Sequence, residues 1–590
     1  MDVNIGHEVG YRIPLETCCS SDTVLRYCTD DVLLREMMSD PFLERYSVVV
    51  VDQAHQRTVA TDTLLGLLKD IVPQRPELRV VLLSAVEPTS KQLAHFSGSV
   101  VPVIRLESPG AGEVVYSSAG DGHFCSALRL VLEIHRSDER GDVVVFLVTT
   151  QEIDLAHEIL CHEGRSLPPD LGELLPVAVH PGQPGSQLVF GEEETGRTRR
   201  IFLTCSPSED LFWPVTSVRF VIDAGLENRH VYNPRVRTNS VITEPISAAQ
   251  AQSRQQLAGP TGKCFCLYPE DRKLRAETRP HIGECDITST VLLLKRMEIA
   301  GLGHCDFIDR PDPEGLMQAL EELDYLAALD NDGNLSEMGI IMSEFPLEPQ
   351  MAKTLLASSP TCFMVPSVDQ RPEVTQCWMR FQHPEGDHFT LINIYKAFKQ
   401  CQQDPNCDVE KWCQGLYLNL SALLMADALR SELTDTLRRI ELPVSVPAFG
   451  SRSNTLNIKR SLLAGFFMQV ARDVDGSGNY FILIHKHVAQ IHPLSGYGPR
   501  KPKLGLPEWV LFHEHSFSED NCLRTVTHIS PEEFIQMAPQ YYFYNLPQSE
   551  SKDILQKSLN HVAPQCQKHR PTTSEEKPEE EQTYDRCVVQ

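Results

Sequence analysis

The run VVVVDQAHQRT, Val48 to Thr58, constrains this chain more than any other stretch. Its four consecutive valines predict a buried strand. The strand ends in an acidic residue, Asp52, followed by Gln53, Ala54 and His55. Open α/β sheets bind ligands at the carboxyl ends of their strands. An Asp standing there is suited to hold a nucleotide-bound Mg²⁺ through water. Such a strand needs parallel neighbours, and the following text supplies them. TDTLLGLLKDIV (Thr61–Val72) has apolar residues at helical spacing, and RVVLLSAV (Arg79–Val86) reads as the next strand. GDVVVFLV (Gly141–Val148), Ile201–Thr204 and Val218–Asp223 read as further buried strands. Strands alternating with helices predict parallel βαβ units. The Pro- and Gly-containing stretch Ser108–Gly122 is expected to link two of them.

After about Asp286 the text turns helical. STVLLLKRMEIAGL (Ser289–Leu302) and EGLMQALEELDYLAAL (Glu314–Leu329) carry apolar stripes, with a turn at Asn331–Asn334. From about Ser461 short β-type runs such as NYFILIH and PEWVLFHE suggest a small barrel. The C-terminal half, Asp286 to Ser549, is expected to fold without the N-terminal unit. The polar end, from about Pro564 and as a domain from residue 550, is expected to be disordered.

With 590 residues, several domains are needed, because single cores rarely exceed ~250–300 residues. No stretch reaches the ~18 uncharged apolar residues of a membrane span, and MDVNIGHEVG has no secretory pattern. The 18 cysteines lack zinc-ligand spacing and are expected to be reduced thiols. A net charge of −26 works against tight nucleic-acid binding unless a local channel is basic.

The order of motifs resembles the DEAH/RHA family of RNA helicases along nearly the whole chain. VGYRIPLE (Val9–Glu16), CTDDVLLRE (Cys28–Glu36), DQAH and SAV (Ser84–Val86) resemble landmarks of the first RecA-like domain. VVVFLVTTQEI (Val143–Ile153), VYNPR (Val231–Arg235), PIS (Pro245–Ser247) and GKCFCLY (Gly262–Tyr268) resemble those of the second. MSEFPLEPQMAK, FQHPEGDHFTLINIY, AGFF (Ala464–Phe467), IHP (Ile491–Pro493) and PEWVLFHE resemble the regions that follow. The Gln in the box is similar to the divergent DEAQ-box branch.

The resemblance implies an α/β fold joined to α and β domains. A partial first RecA-like domain of the P-loop NTPase type would span 1–107 and a second one 123–285. A winged helix (286–345), a helical bundle (346–445), an OB-fold (446–549) and a tail (550–590) would follow. It also implies ATP with Mg²⁺ as cofactors, RNA as a weak and sequence-indifferent partner, a possible protein partner at the winged-helix or OB region, and a nuclear setting.

Phosphoryl transfer needs a phosphate cradle, a metal, a positioned water and a cationic stabiliser. A cradle would end in Gly-Lys-Ser or Gly-Lys-Thr. The one Gly-Lys, Gly262–Lys263, is followed by Cys264 and precedes a strand. In the family the cradle precedes the segment that VGYRIPLE resembles. The chain is therefore expected to start at an internal methionine of a longer product. Asp52 is the candidate Mg²⁺ holder. Gln53 cannot accept a proton where the family has Glu, although it could orient a water. His55 is either a coupling residue or a structural one. Aligned from Pro245, two arginines of the family's motif VI fall on Leu257 and Pro260, and Arg254 alone is kept. Phe190 would stack on adenine or serve as core. Thr29, Asp30, Thr149 and Thr150 would contact RNA backbone or cap turns and helices. Arg229, Arg235 and Arg237 would supply positive charge on the RNA path. Strongly reduced ATPase and unwinding activity is expected of this chain, with RNA-stimulated ATP hydrolysis as the alternative for a longer form carrying the cradle.

Overall fold

The computed structural model describes residues 4–96, 101–106, 110–117, 122–137, 139–168, 171–179, 198–205, 209–297, 306–356, 377–442, 452–498, 505–516 and 521–566, without the side chains of 209, 210 and 560–566. The first α/β unit contains β1 (Val9–Ile13), β2 (Glu16–Cys18), β3 (Leu25–Cys28), α1 (Asp30–Met37), β4 (Val48–Val51), α2 (Val59–Ile71), β5 (Arg79–Leu82) and α3 (Ser90–His95). β2-β1-β3 form one small sheet, and β4 pairs in parallel only with β5 among the described residues. The valine run is therefore not buried on both faces. Val49 and Val51 face the core, whereas Val48 and Val50 are 54% and 52% exposed. A strand's burial is set by the layers around it, and here only one face is covered.

The second unit is a six-stranded parallel sheet, whose elements are β6 (Glu113–Tyr116), α4 (His123–Arg136), β7 (Asp142–Leu147), α5 (Thr150–Ser166), β8 (Glu173–Ala178), β9 (Thr198–Cys205), β10 (Val218–Asp223), α6 (Ala248–Leu257) and β13 (Lys263–Cys266). The strand order is β6-β13-β10-β7-β9-β8. β7 is central and every one of its residues is buried, as a continuous DVVVFL run predicts for a strand covered on both sides. The stretch expected to be a linker contains the edge strand β6, which pairs with β13. An antiparallel hairpin, β11 (Leu226–Asn233) and β12 (Thr238–Pro245), projects from the sheet after β10.

Helices α7 (Thr288–Arg296), α8 (Pro313–Tyr325), α9 (Glu337–Ser343) and α10 (Pro349–Leu356) come next. α11 (Asp387–Gln403), α12 (Val409–Leu416), α13 (Leu420–Arg439) and α14 (Arg452–Phe466) follow them. A closed barrel is built from β14 (Val470–Asp473), β15 (Asn479–Ile482), β16 (Val488–Ile491), β17 (Trp509–Ser516) and β18 (Cys522–His528). Ser461, where β-type text was expected to begin, lies in α14. Asp387, at the start of α11, accepts from Ser495 Oγ at 2.6 Å, Gly496 N at 2.7 Å and Val526 N at 2.9 Å, which fastens the barrel to the helices. The chain ends in α15 (Pro531–Met537), α16 (Gln540–Asn545) and α17 (Glu550–Cys566). Residues 550–566 are thus helical rather than a disordered tail, with Leu555 buried against the core. Cys401 and Cys407 form a disulfide, contrary to the expectation of thiols throughout. The turn after α11 brings their Cα atoms to 5.6 Å.

The largest apolar cluster runs without a break from Leu64, Leu65 and Leu68 of α2 through Ile282, Val291 and Leu323 to Phe467 and Leu511. The C-terminal half is therefore not a separate core. Leu68 is completely buried in this cluster. Leu68→Ala should destabilise the protein by about 2–5 kcal/mol. Calorimetry should show the helical region melting in the same transition, and a second, unshifted transition would contradict the shared core.

Candidate functional site

The box follows β4 in a turn tightened by residues at positive φ, Gln53 (53°) and Arg57 (55°). Gln53 N donates to Asp52 Oδ1 at 2.9 Å, Gln56 N to the Gln53 carbonyl at 2.9 Å and Ala54 N to the Leu83 carbonyl at 3.0 Å. Asp52 is exposed at the strand's carboxyl end, whereas Gln53 Oε1 is buried and accepts no hydrogen bond among the described residues. His55 Nδ1 accepts from Ala85 N at 3.3 Å, which joins the box to the SAV segment. Arg57, passed over in the sequence, is buried and bonded through Nε and Nη2 to Asp62 at 2.6 and 2.9 Å. Its Nη2 also reaches Asp309 at 2.7 Å, ahead of α8. Lys91 pairs with Asp309 as well, and Lys69 with Asp306. An arginine between the box and a Thr-capped helix was the available signal; its partner Asp309 is 252 residues away.

Thr29 takes the extended N-cap position of α1 without making a side-chain cap bond, and its buried hydroxyl has no partner among the described residues. Asp30 accepts from the hydroxyls of Thr58, the N-cap of α2, and Thr61 in its first turn. Thr149 caps α5 by accepting from Glu152 N at 3.0 Å, and Thr150 is exposed. Phe190 lies outside the described residues.

Arg254 differs most from its expected role as a cofactor ligand. It is fully buried and donates to Asp223 Oδ1 at 2.7 Å, with its guanidinium 4.3 Å from the Phe146 ring centroid. Asp223, also fully buried, accepts from Gly225 N at 2.9 Å and Tyr268 Oη at 3.2 Å. Leu257, one turn further along α6, packs into the apolar cluster on this side of the sheet. Gly262 packs against the Ala258 carbonyl, where a Cβ would lie 2.1 Å away. Lys263 pairs with Glu139 at 2.6 Å. This Gly-Lys pair therefore opens a strand and cradles nothing.

The hairpin arginines are engaged by carboxylates rather than lining an open basic path. Arg229 pairs with Glu244 and Glu284, Arg235 with Glu314 at 2.7 Å, and Arg237 with Glu321 at 2.6 Å and Glu322 at 3.5 Å. Glu322 also accepts from Gln318 Nε2 at 3.0 Å. Burial, with Asp286 adding like charge, pushes the Glu322 carboxyl up to about 7 although Arg237 opposes the shift.

Tested against nucleotide and Mg²⁺, the donor set fits in part. Asp52, exposed at the strand end, suits a hydrated cation, whereas the Gln53 oxygen is buried, the 590 residues contain no Gly-Lys-Ser or Gly-Lys-Thr, and Arg254 is held by Asp223.

This arrangement is that of a helicase-type chain: parallel α/β sheets with a DEAH-like box, a hairpin, a winged-helix region and a barrel. A helicase-associated (HA2) winged-helix family profile matches residues 319–347, and an oligonucleotide/oligosaccharide-binding (OB)-fold profile matches 458–541. The chain is 51% identical over 621 aligned positions to DHX32 of Mus musculus, covering all of this chain and 82% of that protein. It is 53% identical over 594 positions to DHX32 of Homo sapiens, covering 96% of this chain and 79% of that protein. Both carry the description of a candidate pre-mRNA-splicing factor ATP-dependent RNA helicase. The human ATP-dependent RNA helicase homolog DQX1 is 40% identical over 617 positions, with coverage of 100% and 84%. The chain belongs to the DEAH/RHA family of RNA helicases, as a homologue of DHX32 and DQX1.

Two measurements check this geometry. Arg254→Ala leaves Asp223 charged and buried without its partner, so stability to urea should fall by about 3–5 kcal/mol. A loss below ~1 kcal/mol would mean that the pair is not buried in solution. The second concerns Glu322. Its folded pKa lies above the unfolded value of about 4.3, so the folded form holds the proton more tightly. The resulting stability is complete below the unfolded value and lost as pH rises through about 7. Glu322→Gln should flatten the change in denaturation midpoint between about pH 5 and pH 7 by up to one proton.

Proposed function

We propose that this chain is an RNA-binding member of its family that does not turn over ATP. One observation carries the reading: where the family's chemistry needs mobile positive charge, this chain has Leu257 in the core and Arg254 in a buried pair. Gln53 supplies no general base, and ATP with Mg²⁺ would bind weakly through Asp52. The reading keeps the division at 1–107, 123–285, 286–345, 346–445 and 446–549. RNA would run past Thr29, Thr150 and the hairpin, bound weakly and without sequence preference. A protein partner would sit on the winged-helix or barrel region. The splicing-factor description of DHX32 supports a nuclear setting. A second reading, RNA-stimulated ATP hydrolysis, draws on the ATP-dependent names of the relatives and the exposed Asp52; it requires a phosphate cradle from residues outside this sequence.

The purified chain should show no RNA-stimulated ATP turnover near ~1 s⁻¹. Gln53→Glu alone should not create it. Turnover at that rate in either protein would overturn the non-hydrolysing reading. RNA affinity should fall steeply as salt is raised, because phosphate contacts dominate such binding; salt-independent binding would argue against this path.

A further inference from the structure

The hairpin turn carries Arg235 and Arg237, and one helix holds both. Arg235 contacts Glu314 with two prongs, Nε to Oε1 at 2.7 Å and Nη2 to Oε2 at 3.3 Å. Arg237 donates to Glu321 at 2.6 Å and to Glu322 at 3.5 Å. Tyr232 donates to Gln318 Oε1 at 3.0 Å. Residues 314, 318, 321 and 322 recur at the three- and four-residue spacing of one face of α8. That face presents three carboxylates to two guanidinium groups.

Exposure sorts the contacts into two layers. The inner layer is closed, with the Arg237 and Glu322 side chains 13% and 8% exposed. The outer layer is open to solvent: Arg235 is 77% exposed, Glu314 51% and Glu321 52%. The Arg235–Glu314 pair lies in water, where an ion pair is weak enough for another anion to displace, and Glu321 covers Arg237 from the solvent side. Phosphate and carboxylate offer a guanidinium the same two-pronged acceptor pattern.

We propose that Glu314 and Glu321 are a built-in anionic competitor, occupying the hairpin arginines in the free protein and giving way to the phosphates of an RNA strand. The proposal rests on the reading above, that RNA runs past the hairpin. The inner chain Tyr232–Gln318–Glu322–Arg237 keeps the hairpin seated on α8 while the outer carboxylates exchange. RNA affinity is thereby set by the difference between phosphate and carboxylate at the same two side chains, not by the charge of the arginines alone.

Fluorescence anisotropy of the full chain with a single-stranded oligouridine tests this. Glu314→Gln/Glu321→Gln should tighten binding by roughly threefold to tenfold at about 0.1 M salt. The gain should disappear in an Arg235→Gln/Arg237→Gln background. If Arg237→Gln fails to fold, Arg235→Gln combined with Glu314→Gln completes the same cycle. A control with the same change in charge, Glu410→Gln/Asp435→Asn on α12 and α13, should gain much less. Unchanged affinity, an equal gain in the control, or a gain that survives without the arginines would overturn the competition and leave RNA binding standing. Absence of binding by both the parent and the glutamine variant, each folded by circular dichroism, would sink the RNA reading and the competition with it.

Discussion

A guanidinium taken wholly out of water must be matched by a carboxylate, because an isolated buried charge costs several kcal/mol. Arg254 and Asp223 meet that condition at the carboxyl end of the six-stranded sheet. The same carboxylate accepts from the backbone after β10 and from Tyr268 after β13, so one side chain ties together two strand exits and α6. This is the end where an open parallel sheet presents its ligand site. Here the buried Arg254–Asp223 pair stands at that end, with the Phe146 ring 4.3 Å from the guanidinium. Drawing Arg254 out toward a nucleotide would strand Asp223 in the core.

The same logic recurs on the surface with smaller energies. The chain has 80 acidic and 54 basic side chains, so a cation near a helix meets carboxylates of its own chain first. Arg229, Arg235 and Arg237 are spaced like a phosphate-binding edge, yet each already has an acidic partner. A basic patch in a sequence therefore measures the charge available only after the internal pairs have been subtracted.

What the sequence made legible follows from which interactions are local. β10 is Val218–Asp223 as read, and β7 lies inside the expected run, because long apolar runs belong to strands covered on both sides. The box itself was readable from its place after an apolar run, whereas its turn and the contact of His55 with Ala85 were not, because positive φ and a partner 30 residues away leave no local signal. The valine strand was misjudged because its burial depends on layers that its own residues do not specify. β6 is four residues long, too short to stand out from a Pro/Gly-containing stretch. Helix α17 was hidden by its polar composition, which says little about the few positions that pack. The partner of Arg254 sits 31 residues earlier, and only the parallel register of β10 with its neighbours brings the two together.

The box is explained by its structural connections even without hydrolysis. Positive φ at Gln53 and Arg57 is unfavourable for residues with a Cβ, by roughly 1–2 kcal/mol each. Such a turn persists only where its surroundings over-determine it. Here the constraints come from three sides: Leu83 receives Ala54 N, Ala85 N reaches His55, and His281 N donates to the Arg57 carbonyl at 3.0 Å. The Arg57 guanidinium then binds both α2, through Asp62, and the segment before α8, through Asp309. The loop is thus a joint between the first sheet, the SAV segment and the winged-helix region. Its backbone needs the turn and the arginine, but it makes no demand for a carboxylate at position 53. A glutamine there leaves the joint intact, so the structural role of the box does not depend on the carboxylate that the family carries at this position.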